Sequence, residues 1–332
     1  MQITKVIILF LILYTGNVFG QNNKIAYCSN QTSSGFIQIF TMNEDGTGNL
    51  QLTDLQENCM KPKWSPDGKQ IVFYTDNGFI YLIRDVQSAK NSTNPYYVWN
   101  GYNPTFMADG TQILFNSENE EVLSIFVMDT SSSPTPPQLF SDGGYSNMQV
   151  LSKDENKMLF SSFSDGSKSV MIADMNDTTE NYIKKVSKNS DANIEPDISP
   201  DGKMFTYASF DSNLKGTLRL YKDGNETILT KGMGSTNVPR FSPDGSKIAF
   251  VLIGENQVSL YVMDFDGGSK NNLNLKAGNV GTFEWIDNSR ILYDAGTDTK
   301  ISIGIIDINT GEDDVIASGG FNLQPSSQKK GK

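Results

Sequence analysis

Histidine is absent from all 332 residues. That gap excludes a Ser-His-Asp or Cys-His catalytic arrangement and zinc, iron or copper sites of the usual imidazole type, so no metal and no cofactor are expected. Cysteine occurs only at Cys28 and Cys59. Two are too few for a disulfide-stapled scaffold, but in an exported chain they form one candidate bridge. Basic residues are the minority, 27 Lys and Arg against 38 Asp and Glu, for a formal net charge of −11. Nucleic acid and anionic lipid both need a basic surface, so neither is expected as a partner. Long hydrophobic runs are missing too. The apolar stretch Val6 to Leu13, behind Lys5, is interrupted at Thr15-Gly16-Asn17, well short of the ~20 residues a membrane span needs. With Val18-Phe19-Gly20 after it, the stretch reads as a signal peptide over residues 1–20, cleaved before Gln21. The expected product is exported, periplasmic or secreted, with no membrane span and no lipid-modified cysteine.

What is present is a repeat. Pro62-Lys63-Trp64-Ser65-Pro66-Asp67-Gly68-Lys69-Gln70-Ile71-Val72-Phe73 returns as Pro104 to Phe115, Pro196 to Tyr207 and Pro239 to Phe250, and in worn form as Gln149 to Phe160 and Phe283 to Tyr293. The anchors Trp64, Phe106, Leu151, Ile198, Phe241 and Trp285 lie 42, 45, 47, 43 and 44 residues apart, a period shared by propeller blades and helical arrays. Local chemistry decides between them. Ser-Pro-Asp-Gly is a tight turn, with proline fixing φ, aspartate bonding its own backbone and glycine supplying the left-handed residue. The flanking Gln70-Ile71-Val72-Phe73-Tyr74 is β-branched and aromatic, as strands are.

Counting copies gives the architecture: all-β, a propeller of four-stranded blades. Second strands begin near Lys24, Gln70, Gln112, Lys157, Met204, Lys247 and Arg290, and third and fourth strands also number seven. First strands number six. Gly319-Gly320-Phe321-Asn322-Leu323-Gln324-Pro325 resembles the lead-in Gly143 to Gln149, so Phe321 to Pro325 is expected to supply the missing innermost strand to the blade begun by Lys24, leaving no open edge. Seven blades is the reading and six the alternative. One propeller domain is expected over residues 21–327, with a disordered basic tail at 328–332.

The phrase P-x-W-S-P-D-G-x-x-I-x-F, followed by a strand ending Tyr261-Val262-Met263-Asp264, resembles the WD-like repeat of TolB-type propellers, which also builds the propellers of tricorn and prolyl-oligopeptidase-type peptidases. The resemblance covers nearly all of the chain after residue 20. It implies the fold, and it implies function only by analogy. Ordinary WD repeats use a histidine in their blade network, and TolB-like oligogalacturonate lyases build a metal site with histidines; neither pattern can be placed here.

Two functional classes follow. The favoured one is a non-catalytic protein- or glycan-binding scaffold that presents loops from a rigid ring, expected to be monomeric. The alternative is a carbohydrate-active enzyme, glycosidase-like or lyase-like, working through carboxylates alone. No catalytic residue is assigned. Each connection from an outer strand to the next inner strand carries an asparagine near its anchor: Asn58, Asn103, Asn147, Asn193, Asn237 and Asn279, with Asn322 as the counterpart in the closing strand. With Tyr102, Tyr145, Asp191 and Glu195 around them and Lys61 as the only basic residue, they are expected to line a funnel suited to sugar hydroxyls, backbone amides or a cationic group. The competing reading is that asparagine merely tolerates left-handed turns. For the cysteines, Cys28 closes a second strand and Cys59 opens the next inner strand on the same face, so either a bridge between them ties two blades together or both are buried thiols.

Overall fold

The computed structural model describes residues 23–89, 94–119, 121–130, 136–140, 145–163, 166–177, 182–188 and 191–328. The expected signal peptide and all of the basic tail except Gln328 lie outside these residues.

Short β-branched segments separated by turn chemistry give twenty-eight strands and, among the described residues, no helix. The strands form seven antiparallel sheets of four. Their innermost strands are Cys59–Trp64, Tyr102–Phe106, Tyr145–Leu151, Ala192–Ile198, Ser235–Phe241, Asn279–Trp285 and Asn322–Ser327. The last of these pairs with Lys24–Ser29. The ring therefore closes between the chain's two ends, as expected, with the closing strand shifted one residue later at its start and two at its end. Phe321 instead makes a parallel bridge to Ile301. We number the closing blade 1 and the others 2 to 7 in chain order.

Closure is more than one ladder. Trp64 of blade 2 donates its indole N–H to the Ser326 carbonyl at 3.1 Å. Gln328 donates its backbone N–H to the Lys24 carbonyl at 2.8 Å and its side-chain amide to the Gly68 carbonyl at 2.7 Å, so the first residue of the expected disordered tail is instead held in place. Trp285 makes the same bond as Trp64, to the Arg240 carbonyl of the preceding blade. The anchors of the repeat thus lock neighbouring blades together.

Second strands are buried on both faces because each is flanked by two blades. The core consists of layers between blades, such as Ala26, Cys28, Ile39 and Leu52 of blade 1 against Cys59, Ile71, Phe73 and Ile83 of blade 2. The Ser-Pro-Asp-Gly turns form as expected. Ser65 Oγ donates to Asp67 at 2.6 Å and accepts the Gln70 N–H at 2.9 Å, and the worn copy keeps this geometry through Ser152 and Asp154. Gly245, at φ +74°, also lies where a Cβ would sit 3.2 Å from Pro200 of the preceding turn. Glycine is needed there both for handedness and for the stacking of turn on turn around the rim.

Candidate functional site

Each of the seven innermost strands slips register against its neighbour at one bulge. In six of them the bulged residue is left-handed and is not glycine: Lys61, Asn103, Met148, Glu195, Val238 and Gln324, with φ between 46° and 56°. Proline follows in five cases, at Pro62, Pro104, Pro196, Pro239 and Pro325. A residue before proline is disfavoured in the right-handed region, and proline brings no N–H to the interrupted ladder. The recurring prolines are thus the sequence signature of the bulge ring, a signal the repeat carried without its meaning being read. Blade 7 differs, with Gly281-Thr282 at its bulge.

Backbone donors freed at the bulges need acceptors. Lys61 N–H is taken by Gln324 Oε1 at 2.8 Å. Gln324 N–H and Thr282 N–H are both taken by Asp294, at 2.6 and 3.0 Å, and Thr282 Oγ1 donates to the same carboxylate. Burial pushes the Asp294 carboxyl above its ordinary range, with these hydrogen bonds acting the other way. Gly281 makes room for it, since a Cβ there would stand 2.1 Å from Asp294 Oδ1.

Around the axis the inner strands carry more charge than expected. Lys63 and Arg240 join Lys61, so Lys61 is not the only basic residue. Lys63 Nζ pairs with Glu284 at 3.2 Å, and Arg240 Nη2 pairs with Glu195 at 2.9 Å. Burial lowers the Arg240 guanidinium, but Glu195 and Asp197 outweigh it and hold the pKa above its usual value. Glu284 and Asp197 also accept the N–H groups of Ser327 and Phe241, the anchor positions of the next blades. These acids stitch the ring together.

The asparagines do not form one ring. Asn58 and Asn279 stand just before or at the start of their inner strands and accept the N–H groups of Ile37 and Val258 of the preceding blade, each at 2.9 Å. Asn193 is buried and donates to the Asp191 carbonyl at 2.7 Å. Asn322 accepts the Ser29 hydroxyl at 2.8 Å. Asn237 accepts the N–H of its own neighbour, Val238. Asn103 is itself a bulge residue and accepts Lys61 Nζ at 2.9 Å, while Asn147 is half-buried beside the bulge of blade 4. Most of these amides bond backbone or side chains within or between blades, and of the seven only Asn103 is left-handed, so tolerance of left-handed turns does not account for the others. Among the residues expected to line the funnel, Lys61, Asn103 and Glu195 sit at bulge positions.

The aromatic candidates fare differently. Tyr102 and Tyr145 open adjacent inner strands and are 37% and 46% exposed, with Met148 at 37% and Phe163 at 47% beside Tyr145. Tyr102, Tyr145 and Phe163 stand at strand ends on the face where inner strands begin, Met148 stands at the bulge, and the Tyr102 ring packs edge-on against Tyr74. The opposite face carries the Ser-Asp turns. A second exposed group, Tyr96, Tyr97 and Trp99, lies on the outermost strand of blade 2. There Val98 is the buried residue at a register slip, Tyr97 packs edge-on against Phe79 and Tyr81, and Arg84 lies over the Tyr96 ring.

Cys28 and Cys59 meet in one core layer as buried free thiols, the alternative to a bridge. Each sulfur has a polar neighbour, Gln324 Oε1 for Cys28 and the Thr53 hydroxyl for Cys59. Burial pushes the Cys59 thiol up to about 12 and the Cys28 thiol well above its usual value, which holds both in the protonated, unreactive form.

Seven closed four-stranded blades built on a Ser-Pro-Asp-Gly repeat define a β-propeller. The chain belongs to the TolB beta propeller domain family, whose model matches residues 14–237 and 183–332. It is similar to dipeptidyl-peptidase 5 of Porphyromonas gingivalis, 23% identical over 79% of this chain and 41% of that protein. It is likewise similar to the Tol-Pal system protein TolB of Francisella tularensis subsp. mediasiatica, 23% identical over 66% of this chain and 51% of that protein. The chain thus spans about half the length of these relatives or less. Among solved structures, the β-propeller domain of the Trilobed protease from Pyrococcus furiosus matches 90% of this chain and 97% of its own, with a TM-score of 0.64 and 16% identity. That propeller is described as having an open velcro topology, whereas here the two ends are paired.

Proposed function

We propose that this chain is an exported, monomeric, non-catalytic scaffold that binds a partner protein at the mouth formed by its inner strands. The observation that carries the reading is the exposure of Tyr102, Tyr145 and Phe163 at strand ends on that face and of Met148 at the adjoining bulge. Exposed aromatics over a rigid frame are the usual anchors of a protein interface. Glu195 and Glu284 are each paired with a cation, which leaves neither placed as one of the two opposed carboxyl groups that glycoside hydrolysis needs. Likeness to a Tol-Pal system protein supports the binding class. The peptidase named for the other relative has no imidazole base in this chain. Export is supported by Lys5, the Val6 to Leu13 run and the residues that follow.

The test is capture from the native envelope or secretion fraction, read by mass spectrometry. One protein is expected to be retained by the wild type and lost with Tyr102→Ala/Tyr145→Ala, at an unchanged melting temperature. Capture that the double variant retains contradicts the reading. Turnover of a glycan abolished by one Asp or Glu substitution would establish the enzymatic alternative instead.

A further inference from the structure

Lys61 differs from the other inner-strand cations. Lys63 and Arg240 each hold a carboxylate, at 3.2 and 2.9 Å. Among the described residues Lys61 is in no ion pair, and its Nζ donates to one neutral acceptor, Asn103 Oδ1. An ammonium has three donors, so two remain. The left-handed bulge fixes the residue at φ 46°, with its own N–H held by Gln324. Its neighbour Arg240 takes the carboxylate of Glu195, the acid that acts on Lys61 from a distance. The residue is exposed, and partial desolvation of its ammonium still depresses the pKa, with Glu195 acting the other way. Tyr102 directly precedes the asparagine that holds Lys61, and Met148 occupies the matching bulge one blade further on.

We propose that Lys61 is the anchor for a carboxylate and that the partner enters the mouth by its C terminus, with its last side chains on Tyr102 and Met148. The inference rests on the protein-binding reading above. A single unpaired ammonium matches one monoanion, whereas a phosphate group would call on Lys63 and Arg240, which are already committed. A terminal carboxylate is preferred over an internal Asp or Glu because the bulges ring the axis. A chain end can enter such a ring without having to turn and leave again.

The probe is a pair of immobilised random hexapeptide libraries, one ending in a free carboxylate and one amidated, exposed to the purified protein. Capture by the free-acid library is expected to exceed the amidated one by about tenfold or more. Lys61→Met should bring it down to the amidated level, and Lys61→Arg should retain it. Lys203→Met, on the exposed turn face, serves as the control and should change nothing. Equal capture by both libraries, lost with Tyr102→Ala/Tyr145→Ala, would overturn the carboxylate anchor and leave the binding reading standing. Capture of amidated peptides through internal Asp or Glu, abolished by Lys61→Met, would overturn terminal entry. Capture by neither library would overturn both.

Discussion

At the residue scale, the repeat is held by small polar circuits that stand in for the missing histidine. In the Ser-x-Asp turns the serine hydroxyl bonds the aspartate, which in turn accepts backbone N–H groups. The hydrogen bonds from Ser152 and Ser199 hold Asp154 and Asp201 below the usual carboxylate range. At Asp67 and Asp244 burial acts upward, but the hydrogen bonds outweigh it and the pKa is again lowered. A depressed folded pKa means stability that is full above the unfolded value of about 3.9 and is lost as pH falls through the folded value. Thermal melting followed from pH 7 to pH 2 should therefore fall off below about pH 4, and the Asp201→Asn/Asp244→Asn variant should show a shallower fall. An equal slope in both proteins would contradict the assignment. The thiols give a second residue-scale prediction. An alkylating reagent at pH 8 should label neither Cys28 nor Cys59 in the folded protein and both in unreduced, unfolded protein. Failure to label the unfolded protein would show a bridge after all.

At the scale of single elements, the blade was legible and the bulge was not. Pro-x-Trp-Ser-Pro-Asp-Gly announces strand, turn and strand, because each residue type has one strong local preference. The left-handed residues Lys61, Asn103, Met148, Glu195, Val238 and Gln324 share no such chemistry, and only the proline after most of them marks the position. The asparagine ring dissolved for a related reason. The asparagines stand three to six residues before their anchors, and strand alternation with a bulge sends those positions in different directions. Pairings such as Lys63 with Glu284 join distant blades and are set by ring closure, which no local pattern encodes. Inter-blade locking can be probed at Trp64, which is buried and bonded to the Ser326 carbonyl. Trp64→Phe should cost about 0.5 to 1.5 kcal/mol, the net value of one hydrogen bond, and Trp64→Ala about 3 to 5 kcal/mol, as for loss of a large packed side chain. Urea melts would separate the two, and equal losses would mean that the indole N–H contributes nothing.

At the scale of the whole molecule, the ring is sealed by its own C-terminal strand, which carries partners for Trp64, Glu284 and Asp294. A chain ending at Gly319 should lose these together and melt well below the full chain or aggregate, whereas an unchanged melt would mean that the seal is dispensable. Sealing holds the inner strands at fixed spacing, so the exposed aromatics and Lys61 of the proposed binding surface are carried on one rigid frame. The most direct test of that account is site-specific photo-crosslinking in the native envelope or secretion fraction. A photoreactive residue replacing Tyr145 at the mouth should give one discrete protein adduct, while the same residue replacing Ile228 on an outer strand should give none. Adducts at Ile228 with none at Tyr145 would place the interaction on the rim and contradict the account.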